Sequence, residues 1–213
     1  MSEQVRETRD AEDSSSAQRQ FQLTGVLLAN VATLTWATNM TLGRWLRDDI
    51  GPLTLAASRF CIASLLFAVL LRKRPAEERR LGADRWQLLA MGLTGVVLFA
   101  PTLYLGLRFT TTVNATLING LGPLITGLLA ALLIQEPMSR RQVAGAFVGL
   151  AGVLVLISGG SLAQWQSMNL NIGDLIMIGA VALWSLYSVL GRRAMRQRPA
   201  ISATALSTFL ALP

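Results

Sequence analysis

Residues 109–135 read FTTTVNATLINGLGPLITGLLAALLIQ, 27 residues without a charge between Arg108 and Glu136. A helix of roughly 20 apolar residues crosses the ~30 Å of hydrocarbon in a bilayer. Three further stretches are also uncharged: residues 20–43, 86–107 and 142–173, of 24, 22 and 32 residues. Charged residues make up 15% of the chain, against about 25% in soluble domains, and they gather in short islands between these runs. A soluble fold of this size has no use for four such runs. The expectation is an all-α fold, a polytopic transmembrane helix bundle, with spans near 22–43, 53–71, 86–107, 112–134, 143–159 and 174–191. A seventh helix begins near residue 201 and stops at Pro213, too short to cross, so the sequence reads as partial. Residues 1–20 are polar and mixed in charge, with Glu3, Glu7, Asp10, Glu12 and Asp13 beside three serines, and read as a disordered tail.

Composition also excludes chemistry. The chain has no histidine and one cysteine, Cys61. This removes histidine-based acid–base catalysis, Ser/His/Asp triads and most zinc sites. With no phosphate-binding glycine loop and no nucleophile–base pair either, no enzyme, metal or cofactor is expected. The net charge of +7 does not point to nucleic acid, because the basic residues sit at helix ends. With the N-terminus in the cytoplasm, cytoplasmic segments hold 15 of the 19 Lys and Arg, and outer loops hold three: Arg44, Arg47 and Arg108. Arg59 lies inside the second span. That split follows the positive-inside rule. Trp45, Trp86 and Trp165 fall at span ends or in a loop, as an interfacial aromatic belt requires.

The sequence repeats itself. At an offset of 148 residues Gly25 meets Gly173, Leu27 meets Leu175, Ala32 meets Ala180, Trp36 meets Trp184, and Leu42-Gly43-Arg44 meets Leu190-Gly191-Arg192. At 149, Phe60 meets Phe209. Five spans make an odd repeat, so the second unit is inverted in the membrane, an arrangement common in secondary transporters. The domains expected are the tail (1–20), a first five-helix repeat (21–159) and the start of a second (160–213). A complete second unit needs three more helices, about 80–90 further residues.

Four segments carry a resemblance: Trp36-Ala-Thr-Asn39, Leu53-Thr-Leu-Ala-Ala-Ser-Arg59-Phe60, Gln135-Glu136-Pro137 ahead of Arg140, and Gly173-Asp174-Leu175 through Trp184. The chain resembles the EamA-type drug/metabolite transporter superfamily over residues 22–213. In that family a Gly-Glu follows the fourth helix; here Gln135 stands in the place of that glycine. The resemblance implies ten helices in two inverted repeats and alternating-access transport of small metabolites or drugs, often export, in a bacterial cytoplasmic membrane. A non-transporting membrane subunit or a channel is the alternative. The partners implied are a small-molecule substrate and the bilayer.

Candidate substrate-binding residues follow from polarity inside spans. Thr112, Thr116, Asn119, Pro123 and Thr126 are spaced 4, 3, 4 and 3, so they share one helix face. Such a stripe lines a cavity or bonds packed helices together. Trp36 and Asn39 share a face of the first span, and their repeat counterparts are Trp184 and Tyr187; these four line a repeat interface or serve packing. Tyr104 is a further candidate for the same cavity. Arg59 either faces that cavity or snorkels to headgroups. Glu136 and Asp174 are the acidic residues near the ends of spans four and six, and so the candidates for proton coupling or for marking helix boundaries. Gly145, Gly149 and Gly152 read as a close helix-packing stripe.

The inverted topology is tested by labelling. In a Cys61-free background, cysteines at Ser167 and Ala76 are expected to react with an impermeant maleimide from opposite sides of the membrane. Labelling from one side removes the odd-numbered repeat.

Overall fold

The computed structural model describes residues 2–46, 48–158 and 171–212; the outer loop expected at 159–173, with Trp165, lies almost wholly outside them. The described residues are helices and connecting turns. The chain divides into two compact units, Met1–Trp45 and Leu46–Pro213.

The first unit is one helix, α1 (Ser2–Trp45). The tail expected at residues 1–20 continues this helix instead. Its Glu, Gln, Arg and Ala are good helix formers, and extending an existing helix adds a hydrogen bond per residue without a second nucleation. The apolar part of α1 is rich in polar residues that bond inward to their own backbone. Thr24, Thr33, Thr35, Thr38 and Thr41 each donate a hydroxyl to the carbonyl four residues earlier at 2.8–3.0 Å. Asn30 Nδ2 donates to Val26 O at 2.8 Å.

In the second unit α2 (Pro52–Arg72) opens with proline at its first position, where a missing N–H costs nothing. A short α3 (Ala76–Arg79) leads to α4 (Arg85–Gly92), which runs through a π-helical segment, Leu93–Leu98, into α5 (Phe99–Phe109). Pro101 accounts for the widening, since it cannot bond the carbonyl of residue 97 and its ring crowds that turn. The span expected at 112–134 is two helices, α6 (Thr112–Gly120) and α7 (Gly122–Ile134), broken at Leu121 between two glycines and just ahead of Pro123. Then follow α8 (Arg140–Ser158), α9 (Ile172–Ala194) and α10 (Ala200–Ala211).

Among the described residues four helical runs are long and apolar enough to cross a membrane: Pro52–Arg72, Arg85–Phe109, Val113–Ile134 and Ile172–Ala194. The other two expected spans are helical where expected but are not among these four. Residues 22–43 carry five threonines and two asparagines, and α8 opens on Arg140-Arg141-Gln142. The runs turn large apolar side chains outward, among them Ile62, Leu65, Leu66 and Val69 on α2. A bilayer suits such a surface and water does not.

At the centre of the second unit is α9, which packs on α4, the π segment, α5, α6, α7 and α10. Gly173, Met177, Val181, Ser185 and Val189 are spaced by four and all buried. Small partners receive them. A Cβ at Gly106 would lie 2.9 Å from Met177, and one at Gly95 would lie 2.3 Å from the Tyr187 ring. Helix α10 approaches α4 as closely: a Cβ at Gly92 would meet Ser207 O at 2.1 Å.

The stripe Gly145-Gly149-Gly152 does not pack as expected. Among the described residues nothing lies within 4 Å of a Cβ at any of the three positions. Helix α8 turns a different face to its neighbour, with Leu150 3.2 Å from a Cβ at Gly120.

These glycines therefore predict opposite mutational outcomes. Gly92→Ala is expected to destabilise the purified protein by about 1–3 kcal/mol through overpacking. Gly145→Ala is expected to be neutral or stabilising by up to about 1 kcal/mol, from helix propensity alone. Denaturant titration followed by tryptophan fluorescence distinguishes the two.

Candidate functional site

The first turn of α9 lies against the turn that joins α5 to α6. Gly173 makes this possible, because a Cβ there would fall 2.4 Å from the carbonyl carbon of Phe109 and 2.5 Å from Thr110 N. The next residue, Asp174, is 2% exposed and collects donors from three segments. Thr110 Oγ1 donates to its Oδ1. Asn114 Nδ2 and the Asn171 backbone N–H each donate to Oδ2 at 2.9 Å. Asn171 Oδ1 in turn accepts from Asp174 N at 3.1 Å, which completes a reciprocal capping box. Thr111 caps α6 in the same turn, accepting from Asn114 N at 3.1 Å. This carboxylate ties three helix ends together and uses both oxygens to do so.

Below this end, Arg59 on α2 reaches α5. Its Nη1 donates to Tyr104 Oη at 2.8 Å, and its guanidinium carbon lies 5.5 Å from the Phe60 ring centre and 5.9 Å from that of Tyr104. Two residues proposed from sequence as separate candidates are thus direct partners. Tyr104 is buried and Arg59 half-buried.

Trp184 and Tyr187 form a second cluster on α9. Their ring centres are 5.2 Å apart, and Phe99 stands 5.0 Å from Trp184 at the start of α5. Tyr187 covers the π segment at Gly95. On the next face, Thr126 Oγ1 donates to Ser185 Oγ at 2.9 Å, joining α7 to α9.

The stripe of the fourth span is not one surface. Thr126 bonds α9, Asn119 Nδ2 bonds back to Ala115 O at 3.0 Å, and Thr116 and Pro123 are exposed. The break at Leu121 disturbs the helical phase between the two halves. Thr112 opens α6, and its side chain is outside the described residues. Trp36 and Asn39 lie three residues apart on α1, in the first unit.

At the opposite end of α9, Glu136 pairs with Arg192 (2.5 Å) and with Arg196. Desolvation pushes the Glu136 carboxyl up, but the two guanidiniums outweigh it and hold the group below its ordinary range. Arg198 makes a two-point contact with Asp84 at 2.7 and 2.8 Å and donates to the carbonyls of Glu78 and Arg80. The segments following α2, α7 and α9 therefore meet at one end of this unit.

Sequence reasoning did not single out Thr110, Asn114, Ser185 or Asn171. The only local signal was a capping pattern, Asn171 three residues before Asp174; the other three act across 59–64 residues of chain.

Asp174→Ala is expected to lower unfolding stability by about 2–4 kcal/mol, combining a lost cap with buried donors left unpaired. Asp174→Asn keeps one acceptor and should fall between that variant and wild type. Chemical unfolding in detergent measures both.

A model of the EamA-like transporter family matches residues 23–158, more than half of the chain. An uncharacterized transporter, YyaM, of Bacillus subtilis is 31% identical over 180 residues, covering 84% of this chain and 59% of that protein. An uncharacterized transporter of Archaeoglobus fulgidus is 31% identical over 168 residues, covering 78% and 57%. An S-adenosylmethionine/S-adenosylhomocysteine transporter of Chlamydia trachomatis is 26% identical over 193 residues, covering 86% and 57%. The chain thus spans less than two thirds of the length of these relatives. No solved structure matches. A helical bundle with membrane-long runs, and a family match across residues 23–158, lead to one conclusion: the chain belongs to the EamA-like transporter family.

Proposed function

We propose that this chain acts in a secondary transporter that moves small organic metabolites across a membrane by alternating access, in the direction of export. The observation that carries the reading is the interruption of two membrane-long runs, at the π segment Leu93–Leu98 and at Leu121, both packed on or near α9. Transporters place solute sites where spanning helices are discontinuous. Trp184, Tyr187, Arg59 and Tyr104 are proposed as cavity residues on the second unit; Trp36 and Asn39 on α1, the repeat counterparts of Trp184 and Tyr187, are proposed as substrate-binding residues of the first unit by itself. Thr112, Thr116, Asn119 and Pro123 remain proposals for the lining near the break.

The structural roles of Asp174 and Glu136 support assigning them to holding helix ends rather than to proton coupling. Sidedness rests on the basic loops. The ion pairs of Glu136 and Arg198 gather three segments at one end of the second unit, and the 15-to-3 distribution of Lys and Arg supports a cytoplasmic location for that end.

The named Chlamydia relatives supply the first solutes to try. In proteoliposomes, S-adenosylhomocysteine flux through the transporter in which this chain acts is expected to saturate and to be accelerated by the same solute on the opposite side. Flux linear in concentration with no trans-stimulation indicates a channel; no flux for a broad panel of amino acids, nucleosides and drugs indicates a subunit that does not transport.

A further inference from the structure

Arg59 is a permanent cation placed inside a membrane-long helix. It follows Pro52 by seven residues, which is about 10 Å along the axis of α2. Tyr104 precedes the end of α5 by five residues, about 8 Å. Both distances start from the same end of the unit, so the 2.8 Å bond between them is close to level. The guanidinium is therefore tied to a buried side chain of a neighbouring span.

An arginine in hydrocarbon costs at least ~2.5 kcal/mol on insertion scales and is offset by a partner. The recorded partner is a neutral phenol, and two aromatic rings flank the group. Rings and a phenol oxygen orient a guanidinium but do not neutralise it. Among the described residues no carboxylate stands within ion-pair distance of Arg59; Glu136 pairs with Arg192 and Arg196, and Asp84 with Arg198. A guanidinium has five N–H donors in a planar fork that matches a carboxylate at two points. One of its terminal nitrogens is engaged by Tyr104, which fixes the plane of the fork.

We propose that Arg59, oriented by Tyr104, anchors a carboxylate on the transported solute, so that the substrates are carboxylate-bearing metabolites rather than neutral or purely cationic ones. This rests on the transport reading above. A lipid phosphate offers the same chemistry. The bond to Tyr104 favours the solute, because it turns the fork toward α5 and a buried side chain rather than outward to headgroups.

The test uses matched solutes that differ by one carboxylate: phenylalanine against phenethylamine, and S-adenosylhomocysteine against its decarboxylated form. Binding to the full purified chain is read as a shift in thermal unfolding, and flux is read in proteoliposomes. Each acid is expected to act at concentrations at least about tenfold below its amine, because a site built around the missing group rejects the analogue. Arg59→Gln should abolish that preference. Arg59→Lys keeps the charge but loses the fork, and should weaken acid binding about tenfold. Tyr104→Phe should weaken it a few-fold; this variant and the lysine variant decide the matter if the glutamine variant does not fold. Equal binding of acid and amine, or an acid preference that survives all three substitutions, overturns the proposal. Stabilisation that follows the phosphatidylglycerol content of the vesicles, depends on Arg59 and shows no acid preference assigns the group to a headgroup and also overturns it. Saturable flux indifferent to the carboxylate removes the anchor and leaves transport standing. Arg59-dependent acid binding without flux of any solute does the reverse.

Discussion

Gly173 leaves no room for a side chain, and the placement of α9 depends on that. With hydrogen alone at this position, the helix start lies in van der Waals contact with the backbone at Phe109 and Thr110. Asp174 is then close enough to accept from Thr110, Asn114 and the Asn171 N–H together. Moving the helix end out by the width of a methyl group would stretch the bonds from Thr110 and Asn114 beyond useful length, while the Asn171 N–H would move with the helix. The same device recurs down α9, at Gly106 under Met177 and Gly95 under Tyr187. In lipid the hydrophobic effect does not press helices together, so close backbone approach and interhelical hydrogen bonds have to. The pattern of this unit fits that requirement: small residues where α9 touches, and polar bonds where it can reach.

Polar groups in the bundle are satisfied in two ways, and the difference separates packing from candidate chemistry. The threonines of α1 bond their own helix at 2.8–3.0 Å and need nothing else. They make the helix polar by composition without making it polar to its surroundings. Thr126–Ser185 and Arg59–Tyr104 are bonds between helices, and each fixes one helix against another. Of the two, only the second leaves a net charge. A neutral pair in hydrocarbon is complete once its bond is made; a guanidinium bonded to a phenol is not, because no anion among the described residues meets the field of the cation.

How much of this was legible in the sequence follows from range. In the second unit, long uncharged runs fix helices whose ends lie within about three residues of those expected, because charge islands stop a span at the headgroups; α1 ends where expected but starts 20 residues early, since its polar tail stays helical. The resemblance carried the family, and the structure explains one of its motifs: where the family has glycine after the fourth span, Gln135 takes a left-handed conformation with φ 57°. Glu136 N then reaches Ala130 O at 3.2 Å and closes α7. A non-glycine residue there costs about 1–2 kcal/mol, so the local fold demands the turn even when the preferred residue is absent. Face assignments were less legible. The stripe from Thr112 to Thr126 assumed an unbroken helix, and two glycines and a proline interrupt it at Leu121. The Gly145-Gly149-Gly152 stripe has the spacing of a packing face, but spacing does not say which neighbour is present. Asn114 lies off the stripe and is the buried one, through a partner 60 residues away.

The two ends of the second unit are held by different chemistry, which bears on how such a bundle can move. At the start of α9, one buried carboxylate accepts neutral donors from three segments. Opening that end withdraws donors from a carboxylate held out of water, so it resists piecemeal opening. At the far end the ion pairs are unequal. Arg198 and Asp84 have side chains 11% and 5% exposed, a buried two-point pair whose separation would strand a charge at a cost of about 3–5 kcal/mol. Glu136 and its arginines are well exposed, at 30% for the glutamate and 65% and 56% for Arg192 and Arg196. Water replaces such contacts readily, and exposed pairs of this kind contribute about 0–1 kcal/mol. A rearrangement of helices therefore meets its lowest resistance between α7 and the residues after α9. The joint between Arg198 and the segment before α4, and the joint at Asp174, move as fixed pieces.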